Sequence, residues 1–92
     1  MPQLFKVGGY TVYFWMNESR PTEPLHVHVS KGRPTQNATK IWITSCGKAL
    51  LCNNDSRIES HTLHNIMLMI EARSDEIRRE WMSHFGTIRY YC

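Results

Sequence analysis

Apolar and polar positions alternate one by one through the first half of the chain, and apolar residues recur every three or four positions through the second. Strand side chains point alternately to opposite faces, so the first pattern predicts strands and the second amphipathic helices. Residues 4–7 predict a short edge strand, and Gly8-Gly9 supplies the positive φ angles of a tight hairpin turn. Residues 10–16 are aromatic and β-branched, which predicts a strand. Residues 17–24 contain Asn17, Ser19, Pro21 and Pro24 and predict a loop. Strands are expected again over 25–30 and 38–45, separated by a turn over 31–37, and a shorter one over 48–51.

The helical half is expected to start at Ser56. Ser56-Arg57-Ile58-Glu59 has the spacing of a capping box, in which serine and glutamate satisfy free backbone N–H groups reciprocally. Leu63, Ile66, Met67 and Ile70 then share one helical face. Ser74 followed by Asp75 and Glu76 predicts a second N-cap with acids at the positive dipole end. Ile77, Trp81 and Phe85 continue an apolar stripe, and Gly86 is a natural stop. Strands first and helices last predict an α+β fold: an antiparallel β-meander of three to four main strands with two C-terminal helices packed on one face. Residues 1–92 are read as a single domain.

The alternation also sorts the two faces of the sheet. Val12, Phe14, Leu25, Val27, Val29, Ile41 and Ile43 fall on one side, with Leu63, Ile66, Ile70, Ile77 and Trp81 expected over them. The other side then carries Tyr13, Trp15, His26, His28, Lys40 and Trp42. The pair in Pro24-Leu25-His26-Val27-His28-Val29 is the most distinctive feature, because it sets two titratable rings at one place.

Composition narrows the classes without choosing among them. At 41% hydrophobic and 21% charged the chain is ordinary globular material, which argues against disorder. A net charge of +3 suits an anionic partner without requiring one. No apolar run approaches the ~20 residues of a membrane span, and no signal-peptide pattern opens the chain, so a cytoplasmic setting without membrane association is expected. Cys46, Cys52 and Cys92 form no metal-type pair and are read as reduced thiols, with a Cys46–Cys52 bridge as the oxidised alternative. No cofactor or metal is called for.

Aromatic rings, imidazoles and an ammonium on one face suit a stacked base and a neutralised phosphate, and base–aromatic stacking contributes about 1–3 kcal/mol per base. A nucleotide or short RNA is therefore the expected ligand, held by Tyr13, Trp15, His26, His28, Lys40 and Trp42, with Arg57 as an additional cation. Protonated imidazoles meeting the phosphate would favour binding below about pH 6.5. The same face read blandly is a homodimer or cognate-protein interface, or a second core covered by the 17–24 loop. His26, His28 and Lys40 are also the catalytic candidates of a metal-independent ribonuclease, with the histidines as acid and base and the lysine stabilising the transition state. No activating carboxylate stands at a recognisable spacing, so binding ranks above catalysis. A two-histidine metal site would need Asp55, Glu23 or His61 to complete it, and no spacing selects one. His61, His64 and His84 are read as helix-surface or core-edge residues. The 53–57 stretch resembles an anion pocket at a helix start, although turn and capping chemistry explains it better.

These residues together resemble the small bacterial domain-of-unknown-function family 4160. Its hallmark, Gly-x-x-Ile/Val-x-Phe/Met and then Pro-Pro/x-His-x-His-Val, reads here as Gly9-Tyr10-Thr11-Val12-Tyr13-Phe14 and Pro24-Leu25-His26-Val27-His28-Val29. Many members have a second proline where this chain has Leu25. The likeness continues through Lys31-Gly32, Asn37-Ala38-Thr39-Lys40-Ile41-Trp42, Asn53-Asn54-Asp55-Ser56-Arg57-Ile58, Trp81 and His84-Phe85-Gly86, nearly the whole chain. It implies an α+β fold and a setting in small two-gene, toxin–antitoxin-like loci or on mobile elements, and in a mobile-element or phage-defence context a binder of this kind could sequester a nucleotide signal. It carries no catalytic assignment.

Overall fold

The computed structural model describes residues 3–14, 23–35 and 37–92. Five strands come first: β1 (Gln3–Val7), β2 (Tyr10–Tyr13), β3 (His26–Lys31), β4 (Thr39–Ile43) and β5 (Ala49–Asn53). Helices α1 (Ser60–Ala72) and α2 (Ser74–Phe85) follow. The strands form one antiparallel sheet in the order β1-β2-β3-β4-β5, each paired with its chain neighbour. This is the expected α+β meander, with slightly more strands than three to four. The 3–7 segment pairs along β2 as the edge strand expected over 4–7, one residue longer.

The valine side of the sheet is the core. Val12, Val27, Val29, Ile41 and Ile43 join Leu63, Ile66 and Ile70 of α1, Ile77 and Trp81 of α2, and Phe14, Leu25 and Ile58 in one buried cluster. Fully burying one such aliphatic side chain contributes about 1.5–3 kcal/mol, which makes this face the main source of stability. Phe14 follows β2 and meets Trp81 edge to face at 5.3 Å.

Both helix starts differ from the sequence expectation. The N-cap of α1 is Glu59, whose carboxylate accepts from the Thr62 backbone N–H, three residues after the predicted cap. Ser56 is drawn elsewhere: its hydroxyl donates to the Val29 carbonyl and accepts from the Thr39 N–H, clamping the β3–β4 hairpin to the chain before α1. Arg57 beside it adopts a left-handed φ of 56°, which no helix continues through. Asn54 completes the clamp. Its Oδ1 accepts from the Thr39 hydroxyl and the Ile58 N–H, and its Nδ2 donates to the Ile58 carbonyl. Ser74 makes no capping bond either, because the single residue Arg73 serves as both the C-cap of α1 and the N-cap of α2. Ser74 is instead buried against Gly47 in the β4–β5 turn. Gly86 ends α2 in the left-handed conformation, as expected, with its N–H donating to Met82.

Beyond α2, residues 87–92 return across the ends of the central strands. The Thr87 carbonyl accepts from the Trp81 indole N–H, the Arg89 carbonyl from the Leu25 N–H, and the Cys92 carbonyl from the Ser45 N–H. Cys46, Cys52 and Cys92 are free and exposed, without the alternative bridge. No helix among the described residues is long and apolar enough to cross a membrane.

Candidate functional site

Antiparallel register assembles the histidine face from three strands. Tyr13 pairs with His28, His28 with Lys40, and His26 with Trp42, so these five side chains emerge on one side as the alternation requires. Their rings touch in sequence. Tyr13 stacks on His28 at 5.8 Å, His26 meets His28 edge to face at 5.0 Å, and His26 meets Trp42 at 5.7 Å. The Lys40 ammonium lies 4.6 Å from the centre of the Trp42 ring and is ion-paired with Glu23.

The face is far less open than expected. Residues 32–35 fold over one end of it. The Tyr13 hydroxyl donates to the Thr35 carbonyl and accepts from the Thr35 N–H, while the Thr11 and Ser30 hydroxyls donate to the carbonyls of Gly32 and Arg33. Tyr13 is 0% exposed and offers no stacking surface. At the other end Tyr91 of the returning segment lies flat on Trp42, centroids 4.9 Å apart and planes 2° from parallel. His26 points away from Val27 yet is only 4% exposed, because it sits at the sheet's end where its ring also reaches Trp81 at 5.4 Å. His28, Lys40 and Trp42 remain half-buried, and among the described residues they form the window through which this face meets solvent.

Burial changes the charge of the imidazoles. Desolvation holds the His26 pKa below its usual value, opposed by a hydrogen bond in which Nδ1–H donates to the Pro24 carbonyl at 2.8 Å. That bond fixes the neutral tautomer, with the other ring nitrogen left as an acceptor. Burial, reinforced by the Lys40 charge and by the neighbouring His26 whenever it is protonated, pushes His28 down to about 4. Both rings are therefore neutral near pH 7, and any acid-side gain in ligand binding falls below the pH of about 6.5 set by an ordinary imidazole. His28 Nε2 is buried and has no hydrogen-bond partner among the described residues.

The remaining expectations divide. Trp15 lies outside the described residues, as does most of the 17–24 loop. Arg57 sits in the turn after β5, exposed, and among the described residues no side-chain hydrogen bond or ion pair ties it to the histidine cluster. The 53–57 stretch is turn chemistry: Asn53 Oδ1 accepts from the Asp55 N–H, and the Asn54 and Ser56 side chains are spent on the clamp. The first free N–H groups of α1 face the Glu59 carboxylate, which would repel an anion. His61 and His64 are exposed on α1, and His84 stands beside Glu80 and the edge of Phe14. Among the described residues no three His, Cys, Asp or Glu side chains gather to hold a metal ion. Sequence reasoning did not identify Glu23 as the partner of Lys40, or Tyr91 and Thr35 as covers of the face. The aromatic pair Tyr90-Tyr91 just beyond the Gly86 stop was the available signal for a returning segment.

The profile of a family described only as a domain of unknown function, DUF4160, matches residues 9–82. The chain belongs to the DUF4160 family. The matched span contains β2 to β5, the histidine pair and Trp81; β1 and the 87–92 segment of this DUF4160 protein lie outside it. No curated protein and no solved structure matches the chain significantly.

Proposed function

We propose that this protein is a binding module for a phosphate-bearing ligand, a nucleotide or short RNA, seated at the window formed by His28, Lys40 and Trp42. The setting is toxin–antitoxin-like or defence-related and cytoplasmic. The observation that carries the reading is His28 Nε2, buried and without a hydrogen-bond partner among the described residues, beside the Lys40–Glu23 ion pair. A buried polar atom without a partner costs about 1–3 kcal/mol, which a ligand oxygen filling the place recovers. Lys40 stands beside it, and a phosphate competes with the Glu23 carboxylate for its ammonium. Trp42 adds a ring on which a base can stack once it takes the place of Tyr91.

Two neutral imidazoles favour binding over ribonuclease chemistry. Acid–base cleavage needs one protonated ring near neutrality, and burial disfavours that state for both. Titration of mono-, di- and cyclic nucleotides and short RNAs tests the reading. Saturable binding weakened by His28→Ala supports it. Absence of binding across the panel overturns it, and turnover of RNA abolished by His28→Ala replaces it with the enzyme.

A homodimer or cognate-protein contact is the second reading, on a different surface from the one first expected. The burial of Tyr13 and the cover on Trp42 remove most of the exposed aromatic patch that suggested an interface. Leu50 and Leu51, each 40% exposed on the edge strand β5, favour association there instead. Sedimentation of wild type against Leu50→Lys/Leu51→Lys distinguishes a dimer from a monomer.

A further inference from the structure

We infer that Tyr91 occupies the seat of a planar ligand ring on Trp42, so that the 87–92 segment gates the window by exchange of one ring for another, and that the window takes a mononucleotide rather than a strand. The inference rests on the nucleotide-binding reading above and adds the size of the ligand and the means of its admission.

The Tyr91–Trp42 pair has the stacked geometry in which a base lies on an indole, with planes 2° from parallel and ring centroids 4.9 Å apart. Tyr91 is 58% exposed, and among the described residues this stack is the ring contact it makes. The backbone around it is fixed on both sides by the Arg89–Leu25 and Cys92–Ser45 hydrogen bonds, with Thr87 held by Trp81. The phenol can therefore leave Trp42 by a rotamer change while the segment stays in place. Trp42 itself is oriented from other directions, by the Lys40 ammonium and the edge of His26, and keeps its pose when Tyr91 departs.

Among the described residues, the covers also set the length of the window. Residues 32–35 close the face at Tyr13, and the returning segment closes it at Leu25 and Ser45. The register pairs left between them are His28–Lys40 and His26–Trp42, two residues apart along the strands and thus about 7 Å. One base and its phosphate fill that span, with the base on Trp42 and the phosphate at His28 and Lys40.

AMP and an adenine hexanucleotide, titrated against wild type, Tyr91→Ala and Tyr91→Phe, test the inference. A competitor ring that contributes the usual strength of an aromatic pair lowers apparent affinity by about 2- to 10-fold. AMP is therefore expected to bind Tyr91→Ala tighter by that factor, and Tyr91→Phe as wild type. In wild type, AMP should move the Tyr91 ring-proton resonances, shifted upfield by Trp42, toward those of free tyrosine. Binding of AMP with those resonances unmoved, or with Tyr91→Ala no tighter, overturns the gate and leaves the binding reading standing. A hexanucleotide that binds far more tightly than AMP overturns the mononucleotide assignment. Failure of all three proteins to bind either probe overturns the binding reading and the gate with it.

Discussion

His26 and His28 stand edge to face with ring centroids 5.0 Å apart, and each ring holds a proton less readily than a free imidazole. The unfolded chain, where histidine titrates near 6.5, therefore takes up protons first on acidification. Stability is full above about pH 6.5 and is lost progressively as the pH falls toward about 4, where His28 itself titrates. Urea midpoints at about pH 7.5 and about pH 4.5 should differ in that direction. His28→Gln should flatten part of the slope; an unchanged slope would assign it to other groups.

An anionic ligand at the window reverses the penalty on protonation. Phosphate beside His28 raises its pKa from about 4, so binding takes up a proton and tightens as the pH falls. Calorimetry in buffers of different ionisation heat measures that proton directly. Lys40→Ala should weaken binding and reduce its salt dependence. Trp42→Ala should cost about 1–3 kcal/mol whatever the base.

Asn54 ties β4 to the start of the helical layer through three side-chain hydrogen bonds, to Thr39 and to both backbone groups of Ile58. Asn54→Ala should destabilise the fold by about 3 kcal/mol, at about 1 kcal/mol for each bond. Asn54→Asp retains the acceptor and loses the donor to the Ile58 carbonyl, and should cost less. Equal denaturation midpoints for Asn54→Ala and wild type would show that the clamp contributes nothing net.

At Gly47 φ is +82°, and an added Cβ would lie 3.0 Å from the Ser74 hydroxyl oxygen. Gly47→Ala should cost about 1–2 kcal/mol from the left-handed backbone alone, and more if Ser74 cannot yield. Gly8, with φ of +59° and open space around its Cβ position, is the control. Gly8→Ala should shift the melting temperature less.

The sheet was legible because a period of two has one consistent solution. Once Val27 faces inward His26 and His28 face outward, and antiparallel pairing brings Lys40 and Trp42 beside them. The covers were not legible, since the Thr35 carbonyl over Tyr13 and the Tyr91 ring over Trp42 come from irregular segments without a repeating pattern. The start of α1 was misplaced for a related reason. Ser56 has the chemistry of a cap, but Val29 and Thr39 compete for the same hydroxyl through contacts distant in sequence.

Each strand of the β1-β2-β3-β4-β5 order pairs with the one made just before it. The sheet can thus be laid down hairpin by hairpin during synthesis, with short loop closures throughout. The helices that shield Val27, Val29 and Ile41 are synthesised afterwards. A nascent chain halted before α1 presents a bare apolar surface to its surroundings, the condition under which chaperones engage and aggregates nucleate.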